Sequence, residues 1–205
     1  MVSGAVSASV QPGRARRVAA PGSRRERLLT AAAALFAERG YRSVTLHDIG
    51  SAAGITGPGI YRHFKSKESL LGELLVDVSE HLLSCARELV RDAAAPAEAL
   101  VSLVDFHAGF AVENPALITL QSRELGSLAP DHQDRVRRLQ HTYVELWAAT
   151  IRAAGSVSGL EEATVSAHAI FGLLNSTPFS RQLDRRRTRA LLRSLAVSAL
   201  LPERR

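Results

Sequence analysis

The sequence predicts an all-α fold, and three observations support this prediction. Apolar residues recur at helical spacing along most of the 205 residues. No segment alternates apolar and polar side chains as a half-buried strand does. Proline and glycine interrupt the periodic stretches at Pro96, Pro115, Pro130, Gly155 and Pro178, where they are typical of helix ends. The chain is therefore predicted to consist of helices joined by short connections.

The first predicted helix spans 23–39, where Leu28, Ala32, Leu35 and Phe36 share one face. Two short helices follow between 46 and 64. Periodicity then predicts six longer segments at 67–92, 97–113, 115–126, 131–154, 159–176 and 185–200. The total is about nine helices, which is enough to bury a substantial core.

Residues 40–71 contain the most specific pattern in the chain. Thr45 precedes a short apolar helix and has Asp48 three residues later, which is the spacing of an N-terminal capping box. Gly54 can adopt the positive φ that ends this helix. Ile55 then places an apolar side chain between two helices, and Thr56 caps the second one. Two short helices that meet at a tight glycine turn form a helix-turn-helix, an arrangement that binds DNA.

The second helix of this pair is predicted over 57–64. Pro58 fits its first turn, because the backbone N–H groups there lack intrahelical partners. Ile60 and Phe64 are four residues apart and are expected to face inward. The side chains left to reach outward are Tyr61, Arg62 and His63. For the tyrosine and the histidine, the alternative is packing between helices.

Positive charge is concentrated where this motif lies. The formal net charge of the chain is +6. Residues 1–67 hold eleven Lys and Arg against three acidic residues, a balance of +8, whereas 68–205 hold fifteen against seventeen, a balance of −2. Because phosphate contacts supply most non-specific DNA affinity, this asymmetry favours a polyanionic partner for the first third of the chain.

The first 22 residues are expected to be a disordered basic arm, since they lack helical periodicity and are rich in Gly, Ala, Ser, Val and Pro. Two interpretations of the arginines in and after this arm remain open: they follow a minor groove, or they are simply disordered. These arginines are Arg14, Arg16, Arg17, Arg24 and Arg25. No apolar run approaches the length of a membrane span, and the weak apolar start precedes the arginines, the reverse of a secretory signal. A cytoplasmic location is expected.

The stretch from about 24 to 71 resembles the DNA-binding domain of the TetR/AcrR family of bacterial transcriptional regulators. The resemblance is carried by Leu35-Phe36-Ala37-Glu38-Arg39-Gly40-Tyr41, by Ala53-Gly54-Ile55-Thr56, and by Ile60-Tyr61-Arg62-His63-Phe64-x-x-Lys67-Glu68. Gly50 departs from the pattern, because that family most often has Ala there. The resemblance implies a three-helix DNA-binding domain at 23–66 and a six-helix effector-binding and dimerisation domain at 67–205.

The resemblance also implies roles for the residues of the motif. DNA phosphate is the expected partner of Thr45, Thr56, Tyr61, His63 and Lys67, whose donors lie near helix starts. The residues expected in the major groove are Gly57, Pro58, Gly59 and Arg62. Among these, the arginine is the best candidate for reading sequence, because a guanidinium bonds a guanine edge at two points.

The last two helices are where that family forms a four-helix dimer interface. Here they offer apolar and small residues, namely Val165, His168, Ala169, Phe171, Gly172, Asn175, Leu191, Leu192, Leu195, Ala196 and Leu200. The alternative is that these rows pack inside one chain. A reader of this type needs two copies to contact two half-sites, so a homodimer is also required by the proposed function.

The central helices supply a candidate effector pocket, an apolar cavity with a few polar anchors. Its predicted lining is Phe106, His107, Phe110, Arg123, Tyr143, Trp147, His168 and Phe171. Each of these, taken alone, is typical of plain core. The stretch Phe171-Gly172-Leu173-Leu174-Asn175-Ser176 resembles family members linked to fatty acid or acyl-CoA metabolism, and Arg123 or the histidines would suit a carboxylate or phosphate of such a ligand.

The sequence lacks the motifs of the enzymes considered. No two histidines have the i, i+4 spacing of a helical zinc site, no Gly-x-Ser-x-Gly elbow occurs, and the glycines at 54, 57 and 59 lack the Lys-Ser/Thr and preceding strand of a phosphate loop. No catalytic residue, metal site or cofactor is predicted. The expected function is a dimeric regulator, a repressor by preference, that binds a palindromic double-stranded DNA operator and is released by a small hydrophobic effector. The alternative is a helical small-molecule-binding module or enzyme without sequence-specific DNA binding.

Overall fold

A computed structural model describes residues 23–55, 57–179 and 182–201. In these residues every regular element is helical. The helices are α1 (Arg24–Arg39), α2 (Leu46–Ala52), α3 (Pro58–Tyr61), α4 (Lys67–Asp92), α5 (Pro96–Glu113), α6 (Pro115–Arg123), α7 (Pro130–Ala153), α8 (Leu160–Leu174) and α9 (Arg185–Leu200). The predicted all-α fold is confirmed. The predicted arm at 1–22 lies outside the described residues, as does Thr56.

The helix ends follow the chemistry of their first and last residues. Ser23 forms a complete capping box with Glu26 at the start of α1, and Gly40 ends that helix with φ +80°. Four helices, α3, α5, α6 and α7, begin with proline, which has no N–H to leave unpaired. These local signals explain why most predicted ends lie within two residues of the observed ones.

Helix α3 is shorter than predicted, since it ends at Tyr61 and not at 64. Gly59, inside the helix, lowers helix propensity by about 1 kcal/mol relative to alanine, and Gly57 lies outside it as the N-cap. The chain then tightens: the N–H of His63 donates to the carbonyl of Ile60 at 2.9 Å, one residue closer in sequence than an α-helical bond. The prediction of 57–64 was therefore wrong in length, although Phe64 still faces inward and is fully buried.

One continuous apolar core extends from α1 to α9. Helix α4 packs along α7, α7 along α8, and α5 along α9, while α1 contacts α2, α4 and α6. Trp147 on α7 is the largest fully buried side chain. Within the described part of the chain, every helix is too short or too polar to cross a bilayer. The domain boundaries at 23–66 and 67–205 stay a prediction.

Candidate nucleic-acid interface and effector site

The turn between α2 and α3 is tighter than its sequence alone indicates. Gly54 takes a φ of +67°, as predicted, and the N–H of Ile55 donates to the carbonyl of Gly50 at 2.8 Å. A Cβ on Gly50 would lie 2.8 Å from the Ile55 carbonyl oxygen, and one on Gly59 would lie 2.9 Å from Cγ2 of the same isoleucine. The two glycines therefore allow α2 and α3 to close around Ile55, which is a structural reason for glycine at 50.

The outward face of α3 matches the prediction for a DNA-reading surface. Ile60 and Phe64 are buried, and Tyr61 is 61% exposed. Arg62 and His63 are exposed as well. The alternative in which the tyrosine and the histidine pack between helices is therefore wrong. Gly57 and Pro58 are also exposed at the start of this helix, so the backbone can approach a groove closely.

Thr45 is engaged within its own helix cap. Its hydroxyl oxygen accepts from the N–H of Asp48 at 3.1 Å and donates to Oδ2 of Asp48 at 2.6 Å. The N–H of Thr45 donates to the same carboxylate oxygen at 2.8 Å. These two hydrogen bonds, the hydroxyl one first, hold the pKa of the Asp48 carboxyl below its ordinary value. The cap that was predicted is confirmed, and it fixes the first turn of α2.

Lys67, a predicted phosphate contact, forms hydrogen bonds within the chain. Its Nζ donates to the carbonyl oxygens of Tyr41 and Val44 at 3.0 Å each and to that of Arg42 at 3.4 Å. It also lies 4.4 Å from the centroid of the Tyr41 ring. The three donors of the ammonium are thus directed at the α1–α2 connection, so the structure assigns Lys67 to positioning the helix-turn-helix on α4. A phosphate contact would require these bonds to be given up.

Four predicted pocket residues form one aromatic cluster. His107, Tyr143, Trp147 and Phe171 meet with ring centroids between 4.9 and 6.2 Å apart. They come from α5, α7 and α8, which are separated by many residues in the sequence. A small cavity of about 210 Å³ borders this cluster.

His107 is the polar centre of the cluster. Its Nε2–H donates to Oδ1 of Asn175 at 3.0 Å, and its Nδ1 accepts from the hydroxyl of Tyr143 at 3.0 Å. Because the ring is buried, its pKa falls to about 4, only partly offset by the bond to Asn175. Burial raises the pKa of Tyr143 above its ordinary value. Both groups are therefore neutral near pH 7.

Trp147 lies behind this cavity and does not line it. The side chain is fully buried, and its indole interacts with the side chain of Tyr143, which opposes the rise in the tyrosine pKa.

Of the other four predicted pocket residues, His168 lines the cavity and three lie at its margin or outside it. Phe110 touches the cluster only through His107, at 6.4 Å between centroids, and Phe106 faces His81 at 6.3 Å. His168 is exposed at the rim of the small cavity. Arg123 was placed wrongly: it is exposed and lines a different cleft, next to the α1–α2 connection. It lies in the last turn of α6.

Sequence reasoning missed four polar members of this site. Asn175 bonds His107, and Ser79, Gln121 and Gln140 line the cavity. The asparagine was interpreted as part of the dimer surface. A usable signal was its position four residues after Phe171, which puts both side chains on one helical face.

The predicted dimer surface divides into two faces. Leu192, Ala196 and Leu200 are buried within the chain, so for them the intrachain alternative holds. Exposed apolar residues remain on the opposite side of the same helices: Val165 at 68%, Leu191 at 48% and Leu195 at 47%, together with Ala169 and Gly172. Exposed apolar side chains on two helices that pack together are typical of an interaction surface.

An all-helical chain with an N-terminal helix-turn-helix, joined by a long helix to a bundle with a buried aromatic site, has the architecture of a ligand-responsive DNA-binding regulator. Residues 28–74 match the family model "Bacterial regulatory proteins, tetR family". Residues 93–179 match "Tetracyclin repressor-like, C-terminal domain". The repressor KstR2 of Rhodococcus jostii is 33% identical over 157 residues, which are 75% of this chain and 76% of that protein. The chain therefore belongs to the TetR family of transcriptional regulators, and its suspected membership is confirmed.

Solved structures share the fold. The ketosteroid transcriptional regulator KstR2 of Mycobacterium tuberculosis is 26% identical, with a TM-score of 0.72 over 89% of this chain and 97% of that one. FadR of Bacillus subtilis, solved in complex with stearoyl-CoA, is 19% identical, with a TM-score of 0.67 over 84% of this chain and 97% of that one. At this identity the second similarity shows the fold alone.

Proposed function

We propose that this regulator is a repressor that binds a palindromic operator as a homodimer and is released by a hydrophobic small molecule. The exposed face of α3 supports the DNA role, since Arg62 and its neighbours are free of intrachain packing. The similarity to a repressor over three quarters of the chain favours repression. Such a protein acts in the cytoplasm, where its operator is.

In this proposal Arg62 reads a base edge, while Tyr61 and His63 contact phosphates on either side. Thr45 offers the start of α2 to a phosphate, and Lys67 keeps the helix pair in place on α4. Two copies would pair through the exposed row of Val165, Leu191 and Leu195, so that the two α3 helices enter grooves about 34 Å apart or a multiple of this.

A gel shift tests the DNA role. The DNA upstream of the protein's own gene, with excess unrelated duplex, should retain a complex. Arg62→Ala should reduce the preference for operator over competitor by 1–3 kcal/mol, or about 5- to 150-fold. Arg137→Ala removes an exposed arginine from α7 as a matched control and should bind like the parent. A complex that unrelated DNA removes as readily as operator would favour a binding module without sequence-specific recognition.

The effector is proposed to be a largely apolar molecule with a polar atom that meets the His107–Tyr143 pair, which lines the cavity. Long-chain acyl-CoA and ketosteroid derivatives are the classes indicated by the similar proteins. Because the cavity of about 210 Å³ is smaller than the roughly 300–1,000 Å³ of ligand sites, binding must separate α7 from α8. This movement would alter the spacing of the two DNA-reading helices.

Thermal unfolding with a panel of these compounds tests the effector. A ligand at 100 times its Kd stabilises the native state by about 2.7 kcal/mol and raises the melting temperature. Phe171→Ala should abolish the rise. His141→Ala changes an exposed residue of α7 and should preserve it. A rise that persists in Phe171→Ala would place the ligand outside the aromatic cluster.

A further inference from the structure

A second and larger cleft lies between the helix-turn-helix and the rest of the chain. Its volume is about 970 Å³. Its walls are the end of α1 with the connection to α2, the length of α6, and the start of α9. It is separate from the aromatic cavity, because the two share no lining residue.

Three arginines converge on this cleft. Arg42 comes from the α1–α2 connection, Arg123 from the last turn of α6, and Arg185 from the first turn of α9. Glu124 is the one acidic side chain among the described residues that line it, which leaves a formal charge of +2. Three separate elements thus supply positive charge to one concave space.

Among the described residues these three arginines are also unpaired, unlike Arg25 and Arg189. Arg25 pairs with Glu73, and Arg189 donates two hydrogen bonds to Asp105. By contrast, none of the three cleft arginines has an ion pair or side-chain hydrogen bond with any residue of the ranges 23–55, 57–179 and 182–201. Fifteen donors of planar guanidinium groups, about five on each arginine, are therefore available, and their geometry matches phosphate oxygens.

We propose that this interdomain cleft is a second ligand site and that it takes a phosphate-bearing organic anion. Two sources carry this chemistry: the pyrophosphate portion of a coenzyme A thioester whose acyl part occupies the aromatic cavity, and a free nucleotide or pyrophosphate that binds independently. Both would place a doubly charged group among arginines that otherwise repel one another.

The position of the cleft gives such a ligand a direct effect on DNA binding. Tyr41 and Arg42 line the cleft, and their carbonyl oxygens are the ones that Lys67 holds. Helix α6 contributes Arg123 to this cleft and Gln121 to the aromatic cavity. An anion bound here therefore contacts both the α1–α2 connection that positions the helix-turn-helix and the helix that forms one wall of the effector site. These contacts would couple DNA binding to effector binding.

Isothermal titration of the full chain with inorganic pyrophosphate, and then with free coenzyme A, tests the proposal without DNA. The parent should bind both, and Arg123→Gln and Arg185→Gln should each weaken binding at least tenfold. Arg152→Gln removes the same charge from an exposed position on α7 outside the cleft and should leave binding unchanged. Equal binding by all variants, or no binding by the parent, would overturn the site.

A long-chain acyl-CoA distinguishes the two sources. If one thioester spans both cavities, Phe171→Ala and Arg123→Gln should each weaken acyl-CoA binding at least tenfold, while only Arg123→Gln should weaken pyrophosphate binding. If the anion binds independently, Phe171→Ala should leave the affinity for free coenzyme A unchanged. Arg123→Gln should then leave unchanged the gain in affinity that the acyl chain provides over free coenzyme A. Either result supports the cleft as a phosphate site.

A DNA arm separates this proposal from the proposed regulator function. Ligand-free Arg123→Gln and Arg185→Gln should bind the operator fragment within threefold of the parent. A tenfold loss in both would mean that these arginines serve DNA phosphates, and it would overturn the small-anion assignment while leaving the regulator intact. If the parent binds pyrophosphate but no operator, the regulator function is overturned while the anion site stands.

Discussion

The DNA-binding region and the effector region of this chain place their polar chemistry in opposite environments. On α3, Arg62 and its neighbours are exposed and rest on a small apolar base of Ile60 and Phe64. In the effector region, His107 and Tyr143 are buried and satisfy each other. The exposed side chains of α3 can therefore contact DNA without rearrangement. The effector region, by contrast, must open before a sizeable ligand enters.

The difference also concerns stability. The helix-turn-helix has a smaller buried base, which includes Ile49, Ile60 and Phe64, and its caps and Lys67 each contribute roughly 1–3 kcal/mol in addition. The effector region is held by packing around a fully buried tryptophan. Substitutions should therefore have large global effects in the second region and smaller, local effects in the first.

The largest effect is expected for Trp147→Ala. Removal of a fully buried tryptophan leaves a cavity in the centre of the cluster and should lower the free energy of unfolding by about 3–5 kcal/mol. Urea unfolding measures this change, and Arg152→Ala on the same helix should cost less than about 0.5 kcal/mol. A loss below 1 kcal/mol for the tryptophan variant would contradict the central role of the cluster.

Lys67→Ala should lower the free energy of unfolding by about 2 kcal/mol, because three carbonyl oxygens lose a charged donor. Operator affinity should fall, yet the slope of log Kd against log salt should stay that of the parent, since no phosphate contact is lost. Lys65→Ala, an exposed neighbour, is the control for stability. If the slope for Lys67→Ala is flatter than that of the parent, Lys67 contacts a DNA phosphate, as the family resemblance implies.

The buried histidine predicts a pH dependence. The folded pKa of His107 is about 4 and the unfolded value is about 6.5, so the unfolded state binds the proton more readily between these values. The free energy of unfolding should therefore decrease as the pH is lowered through this window, by about 2 kcal/mol from pH 7 to pH 5. His107→Gln should lack this portion of the loss, whereas His141→Gln, an exposed histidine, should retain it. Identical profiles of stability against pH for the parent and His107→Gln would contradict the conclusion that the buried ring of His107 resists protonation in the folded state.

The smallest effect is expected for Thr45→Ala, at about 1 kcal/mol. This substitution removes the hydroxyl half of the capping box at the start of α2. Ser51→Ala, an exposed change at the other end of the same helix, should remain within about 0.5 kcal/mol of the parent. Native-state hydrogen exchange should show the loss in α2 before α7, because helices held by caps open locally.

Much of the fold was predictable because its signals are local. The capping box at Thr45, the positive φ of Gly54 and the inward pair of Ile60 and Phe64 each depend on residues within one or two turns. The length of α3 was not predictable, since Gly59 weakens the helix and only the surrounding packing decides where such a helix ends.

The candidate effector site was only half predictable. The pattern identified aromatic residues on central helices, and four of them do meet. It misplaced Arg123 and assigned Asn175 to the wrong surface, because a helical period gives the face of a residue but not the neighbour on that face.

The sequence by itself determined the helices, their caps, the basic N-terminal third and the outward chemistry of Arg62, since all of these follow from periodicity, charge and short-range hydrogen bonds. Only the tertiary structure decided which distant residues meet: His107 with Asn175, Lys67 with the carbonyl of Tyr41, and Arg123 with Arg185 in one cleft. The physical reason is that such contacts depend on how rigid helices pack against one another, and many packings satisfy the same pattern of apolar faces.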